Sequence, residues 1–327
     1  MSRTLHVAVL AAGSLLLAGA CTTGAPSGSG AATAPPVEGR SVSLVLGVSG
    51  SPFYEALACG AQAKAAELGL ELTVAAGGQF AADAQIPVVN GVIAQRPAAA
   101  AVVPTDAQAL TQPLRQLTSA GTRLVTVDQT VADETVAASR ILTDNLAGGG
   151  LAADEVNELT GGTGKVLVIT QPPGSTAQDQ RTQGFEERLA QYPGLTYLGA
   201  QYQSDDPQKA AQIITATLAA HPDLAAVFST NDQGAIGAVT GLQQAGKAGQ
   251  VKMVAYDAAT AEVNAFKNGT IHALIAQNPH QEGEVAMETL DALLKGEQVE
   301  PVINTDLVTI RPGENDKADQ YEYKAGC

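Results

Sequence analysis

The chain has no tryptophan, three cysteines and four histidines in 327 residues, and aromatics make up only 4%. Each scarcity closes something off. A pocket that sandwiches a flat base between several rings would have little to draw on. His6, His221, His272 and His280 show no metal-ligand spacing, and the chain has no Gly-x-Ser-x-Gly elbow and no Cys/His nucleophile pair. No metal, cofactor or bond-making chemistry is therefore expected. Cations are also few. Lys and Arg number 18 against 33 Asp and Glu, a net charge of −15, so there is no basic footprint for nucleic acid. The apolar run at residues 7–17 is too short to span a bilayer, which takes about 20 residues.

That run is the right length for the core of an export signal. Arg3 precedes it, and the small residues Ala18-Gly19-Ala20 lead into Cys21. We read this as a lipobox, with residues 1–20 removed and Cys21 lipidated. The usual lipobox has Leu three residues before the Cys; here Ala18 stands there and Leu17 is four before. The alternative is an ordinary signal peptide cut after Ala20. The Gly/Ser/Ala/Pro tract that follows, to about residue 40, has too few large apolar groups to order itself and reads as a tether. The expected location is extracytoplasmic, lipid-anchored to the cell membrane.

Cys59 and Cys327 then sit in an oxidising compartment, which favours a disulfide. It would pin the C-terminal tail to the first helix and stabilise by roughly 4–5 kcal/mol on chain-entropy grounds. Two unpaired thiols are the alternative, but a Cys on a polar tail has no packing reason to be there.

The composition is 45% hydrophobic, enough for two lobes with their own cores. Strands are expected at 42–48, 71–76, 98–105, 122–128, 139–143, 165–170, 195–201, 225–231, 251–257 and 271–277. Helices are expected at 52–68, 86–95, 107–119, 146–159, 177–190, 207–220, 233–245, 259–267 and 281–294. This alternation implies an α/β fold with parallel sheets covered on both faces. About ten strands divide more naturally into two sheets than one. Ligands of such sheets bind beyond the carboxyl ends of strands. Polar residues stand at several of those ends: Asp106, Asp128-Gln129, Asp144-Asn145, Asn231-Asp232, Asp257 and Gln277. GGTGKV at 161–166 is not a phosphate loop, because it precedes its strand and lacks Ser/Thr after the Lys.

Several segments carry a resemblance: SGSPFYEALACGAQAKAAELG, VPTDAQAL, TVDQT, TDNLAGG, STAQDQRTQGF, AAHPDLAAVFSTNDQGAIGAV, MVAYDAATAEVNAFKNGTIHALIAQNPHQEG and LLKGEQV, in this order. Together they are similar to the ribose-binding-protein type of substrate-binding protein, the type I periplasmic binding fold of sugar ABC importers. The resemblance runs from residue 42 to about 310. It implies two Rossmann-like lobes joined by three strands at a hinge, with crossovers near Thr143-Asp144, Gln277 and Thr305-Asp306. The N-terminal lobe would take 41–143 plus 278–305, the C-terminal lobe 144–277 plus 306–312, and residues 313–327 would form a tail beyond the usual family end.

The resemblance also implies a site. Ser51, Phe53 and Tyr54 fall where the family places a polar contact and two stacking aromatics, and Tyr256 where the other lobe supplies one. Asp128, Asn231, Asp257 and Gln277 match the polar rim. A sugar needs both, since its ring has apolar faces and a hydroxylated edge. Three positions depart from the family. Gln129 stands for an Arg, Asp179 for another, with Arg181 kept as the structural Arg nearby, and Asp205 falls on an aromatic position. The last loop aligns loosely, and Asp206 or Tyr202 are alternatives to Asp205. Fewer guanidiniums and more carboxylates argue against anionic sugars and for a neutral sugar or polyol. The expected protein is a monomer that closes on its ligand and delivers it to a membrane ABC permease. The alternative is a receptor for a nonsugar or cationic ligand (amino sugar, nucleoside, signal molecule) or one serving a sensor kinase. A sugar-sensing repressor shares the lobes, but it would need a DNA-binding helix pair where the signal stands.

Overall fold

Short runs that are apolar on both faces must be covered twice, and here helices cover them. In a computed structural model of the chain, the described residues are 38–323 and 327. The leader, Cys21 and most of the tether expected above lie outside them. The first sheet is built by β1 (Ser41–Leu46), α1 (Pro52–Leu68), β2 (Glu71–Ala76), α2 (Ala82–Gln95), β3 (Ala99–Val102), α3 (Thr111–Ser119), β4 (Arg123–Val127) and β5 (Ser139–Leu142). The second is built by α4 (Asn145–Thr160), β6 (Gly164–Thr170), α5 (Thr176–Leu189), β7 (Leu195–Tyr202), α6 (Pro207–Ala220), β8 (Leu224–Ser229), α7 (Asp232–Gln244), β9 (Lys252–Tyr256), α8 (Thr260–Lys267) and β10 (Ala273–Gln277). The chain then returns through α9 (Pro279–Leu294) and β11 (Val302–Asn304) to the first sheet, and ends with β12 (Leu307–Ile310) and α10 (Asn315–Tyr321).

Each sheet has six strands, in the orders β11-β5-β4-β3-β1-β2 and β12-β10-β9-β8-β6-β7. All pairings are parallel except β10 with β12. Central strands are wholly buried, as β3 is with Ala99, Ala100, Ala101 and Val102 all inaccessible. The chain passes between the sheets at Thr143-Asp144, Gln277-Asn278 and Thr305-Asp306. These passages are knotted together by side chains. Thr143 Oγ1 lies 2.9 Å from Gln277 Oε1 and 3.0 Å from Glu282 Oε1, and Thr305 Oγ1 reaches the same Glu282 oxygen at 3.3 Å. Burial, with the Asp128 charge adding to it, holds the Glu282 carboxyl well above its usual range. A protonated Glu282 can donate, which Thr143 needs, since its one hydroxyl proton cannot serve both neighbours.

Helix pairs on the two sheets pack through glycines. A Cβ on Gly60 of α1 would sit 1.9 Å from the His280 carbonyl oxygen, and one on Gly283 of α9 2.0 Å from that of Leu57. The second sheet repeats the device with Gly149 of α4 against Arg181 O and Gly184 of α5 against Leu146 O, both 2.0 Å. Backbone-to-backbone contact of this kind holds the strand-end loops in fixed positions.

Two helices start away from their expected positions, and α10 forms within the expected tail. The second begins at Ala82 and carries Pro87 inside it, where a start at 86 is expected. The reason is Gln85, wholly buried. Its Nε2 donates to Leu46 O and Val103 O, and its Oε1 accepts from Thr105 N, so the first turn is fixed by the ends of β1 and β3. The third begins at Thr111 rather than 107, because the Asp106 carboxylate takes the Gln108 and Ala109 N–H groups in a turn first. Cys59 of α1 and Cys327 are paired sulfur to sulfur, with Cα atoms 5.3 Å apart.

Candidate ligand-binding cleft

The carboxyl ends of both sheets face one another across a cavity. Its wall is formed by Ser51, Phe53, Tyr54, Phe80, Asp128, Gln129, Gln171, Gln178, Arg181, Asp205, Asn231, Asp232, Asp257 and Gln277. The volume is about 40 Å³, several times the 10–15 Å³ or so that one water requires by this measure. The lobes touch around it. Gln129, just past β4, accepts at Oε1 from Thr176 Oγ1 and Ala177 N at the start of α5, 3.0 and 2.9 Å away. Ala107 N donates to Gly174 O at 3.0 Å. This is a closed arrangement.

The aromatic wall belongs to the first sheet. Ser51-Pro52 starts α1 with Pro in its first turn, and Ser51 makes no side-chain capping bond, which leaves its hydroxyl to the cavity side. Phe53 and Tyr54 follow, edge to face at 5.1 Å, and Tyr54 stacks with Phe80 at 6.3 Å. The Tyr54 hydroxyl donates to Asp128 Oδ2 at 2.9 Å. Burial pushes the Asp128 carboxyl up to about 6, although Arg181 and the Tyr54 hydrogen bond oppose it.

The second sheet supplies the polar wall. Asn231 caps α7, its Oδ1 accepting from Gly234 N at 3.0 Å, while its Nδ2 donates to Asp205 Oδ1 at 3.0 Å. Gln171 Nε2 reaches the same Asp205 oxygen at 3.2 Å. Asp257 Oδ1 accepts from Gln277 Nε2 at 2.6 Å, and its Oδ2 from Asp232 N at 3.1 Å. Burial together with the Asp257 and Asp205 charges pushes Asp232 up to about 7; burial likewise raises Asp205.

Arg181 is the cation of this wall. It is 2% exposed and spends its fork on Asn145 Oδ1 (2.8 Å), Thr230 O (2.9 Å) and Gln277 Oε1 (3.2 Å). The site therefore keeps one guanidinium where the sequence alone left it among structural residues.

Two expected site residues stand outside the cavity wall. Tyr256 is fully buried and lies beneath Arg181, whose guanidinium carbon is 3.8 Å from the ring centroid. It supports the arginine from behind. Asp179 faces solvent at the start of α5, and its carboxylate accepts from Gly174 N at 3.0 Å. The inward face of α5 is Gln178, Arg181 and Phe185, spaced three and four residues apart and all buried; Asp179 is one position off that stripe. Of the three candidates in the loose loop, Asp205 lines the cavity, Asp206 caps α6 and Tyr202 is 44% exposed.

Phe80, Gln171, Gln178 and Arg181 line the cavity without being expected there, and Asp232 is visible at a strand end but not assigned to the site from sequence. The strand-end rule also finds Gln171, one residue after β6. The period of α5 finds Gln178 and Arg181. Phe80 has no local signal, since it sits in a loop four residues past β2.

Residues 42–298 match the family described as periplasmic binding protein domain. The ribose import binding protein RbsB of Escherichia coli (strain K12) is 32% identical over 266 residues, 81% of this chain and 88% of that protein. The xylitol-binding protein of Mycolicibacterium smegmatis is 27% identical over 70% of this chain and 64% of its own length. Among solved structures, an ABC transporter solute binding protein from Agrobacterium vitis bound with α-D-tagatopyranose superposes with a TM-score of 0.85 at 34% identity, over 87% of this chain and 99% of that one. With sheet order, cleft and sequence in agreement, this chain belongs to the periplasmic binding protein family.

Proposed function

We propose that the protein is the extracytoplasmic solute-binding component of a sugar ABC importer and takes one small neutral sugar or polyol in its cleft. The observation that carries this is the division of the wall. Three rings stand on one side, and on the other stand carboxylates and amides, with further hydrogen-bonding groups at Ser51, Asp128 and Gln129. Rings cover the apolar face of a pyranose or a carbon chain, and carboxylates and amides accept and exchange hydrogen bonds with hydroxyls. The cavity of about 40 Å³ restricts the ligand to a small molecule. The relatives named for ribose and xylitol, and the solute binding protein solved with α-D-tagatopyranose, support the same class.

No bond is made or broken in this reading. The lobes, 41–143 with 278–305 and 144–277 with 306–312, move about the three passages. Only the closed form offers both walls at once, so a ligand that touches both shifts the equilibrium toward closure. The closed monomer is then recognised by a membrane permease. Cys21 carries the lipid anchor, residues 21–40 the tether, and the Cys59–Cys327 disulfide holds the tail in the oxidising compartment. A cationic ligand such as an amino sugar is the second reading, favoured by four aspartates against one arginine in the wall.

Thermal melting of the full chain against aldoses, pentitols, hexitols, inositols and amino sugars, with nucleosides as controls, tests this. A rise of several degrees with one neutral sugar or polyol is expected. Stabilisation by amino sugars alone selects the second reading, and stabilisation by nucleosides alone defeats both.

A further inference from the structure

The C-terminal segment enters the site from behind. After α10 the chain places Tyr323 between the lobes, only 3% exposed. Its hydroxyl donates to Asp257 Oδ1 at 2.8 Å. Its ring meets Phe53 edge to face, with centroids 5.8 Å apart. Its backbone N–H donates to Ala258 O at 3.0 Å. One residue thus touches the aromatic wall of the first sheet and the rim aspartate of the second.

The contact matters because of how Asp257 is shared. Gln277 and Tyr323 both donate to Oδ1, and the Asp232 N–H donates to Oδ2. With both oxygens held by these donors, the carboxylate plane is fixed, and Asp257 lines the cavity in that orientation. Phe53 is likewise backed by the Tyr323 ring on one side and Tyr54 on the other. Burial and the neighbouring Asp257 and Glu262 charges hold the phenol well above its ordinary range, so it stays a donor. The segment is fastened at both ends. Before it, α10 is tied to β12 by Lys317 Nζ on Thr309 O at 2.7 Å and to α8 by the Lys267–Asp319 ion pair. Beyond it, Cys327 meets Cys59 on α1.

We propose that Tyr323 is a positioning residue of the binding site, setting Asp257 and backing Phe53, so that the C-terminal segment forms part of the sugar-recognition apparatus. This rests on the sugar-binding reading for its purpose but not for its test.

The test compares the full chain with Y323F and with Y321F, a tail tyrosine outside the site. Two quantities are read. The first is hydrogen exchange of the Asp232 amide, referenced to core amides of β9, with no sugar present. The second is calorimetric affinity for three probes: D-ribose, D-tagatose and xylitol. Phe keeps the ring, so packing alone would move neither quantity. The expected result for Y323F is roughly tenfold faster exchange at Asp232 and roughly tenfold weaker binding of whichever probe the unmodified chain binds, with Y321F unchanged in both. Unchanged exchange at Asp232 overturns the proposal whatever the titration gives. Faster exchange with unchanged affinity overturns it too. If the unmodified chain binds none of the probes, the sugar reading is what suffers, and exchange alone decides the role of Tyr323.

Discussion

Asp128 and Asp257 are counterparts across the cleft. Each directly follows the central strand that leads to it, β4 or β9. Each has a positive φ, 60° and 93°. Each donates its N–H to the neighbouring strand at 2.9 Å, to Ile141 O and Ile275 O. Each accepts a tyrosine hydroxyl, from Tyr54 at 2.9 Å and Tyr323 at 2.8 Å. Positive φ costs most residues energy, but Asp and Asn enter that region with least difficulty. The two sheets have thus arrived at one device, a bent strand end that aims a carboxylate into the gap.

The buried carboxyls give the ligand-free protein a pH dependence. Asp128 at about 6 and Asp232 at about 7 lie above the unfolded value of roughly 3.9. The folded state therefore binds more protons than the unfolded state between these values, and stability from these groups falls as pH rises through them. Denaturant unfolding without sugar is expected to give a lower free energy at pH 8 than at pH 5, with D128N and D232N flattening the slope. Affinity for a neutral polyol is expected to run the other way. Ionised carboxylates accept more hydroxyls, so binding tightens from pH 5 to pH 8.

The close helix pairs are predicted to tolerate nothing larger than glycine. In G60A the new Cβ meets the His280 carbonyl, and in G149A it meets that of Arg181. Backbone atoms cannot rotate away, so a loss on the order of 1–3 kcal/mol is expected for each. G91A, where a Cβ meets nothing within 4 Å, is expected to be neutral or slightly stabilising by helix propensity. Denaturation midpoints measure all three.

Much of this was legible in the residues, and the limits have physical causes. Strand runs such as the one expected at 98–105 read as buried because they are nearly all apolar, and polar residues at strand ends led to Asp128, Asn231, Asp257 and Gln277. Tyr256 and Asp179 illustrate what one chain cannot say. Tyr256 occupies an aromatic position, but a buried arginine lies between it and the cavity, and that layering is set by α5 and α4. Asp179 is one helical position away from the inward stripe of α5, a difference of about 100°. Tyr323 carried no signal, because its partner Asp257 lies 66 residues earlier.

Removing the Cys59–Cys327 link by C327S is expected to lower stability by up to about 5–6 kcal/mol on the chain-entropy account. The bond closes a separation of 268 residues. Denaturant titration of the unmodified chain with and without a thiol reductant gives the comparison. Equal curves would show that the two sulfurs contribute nothing as a pair.

The most direct test of the account is calorimetric titration of D128N and D257N with the sugar or polyol that raises the melting point most. Asn keeps the shape and the positive φ but gives up the charge. Each substitution is expected to weaken binding by roughly 10- to 100-fold, since hydrogen bonds to charged acceptors are worth about 1.5–3 kcal/mol each, while the ligand-free protein stays folded. One aspartate from each sheet would then be shown to hold the same ligand. If either variant binds as tightly as the unmodified chain, the ligand does not span the two sheets at these strand ends, and closure on a shared sugar is contradicted.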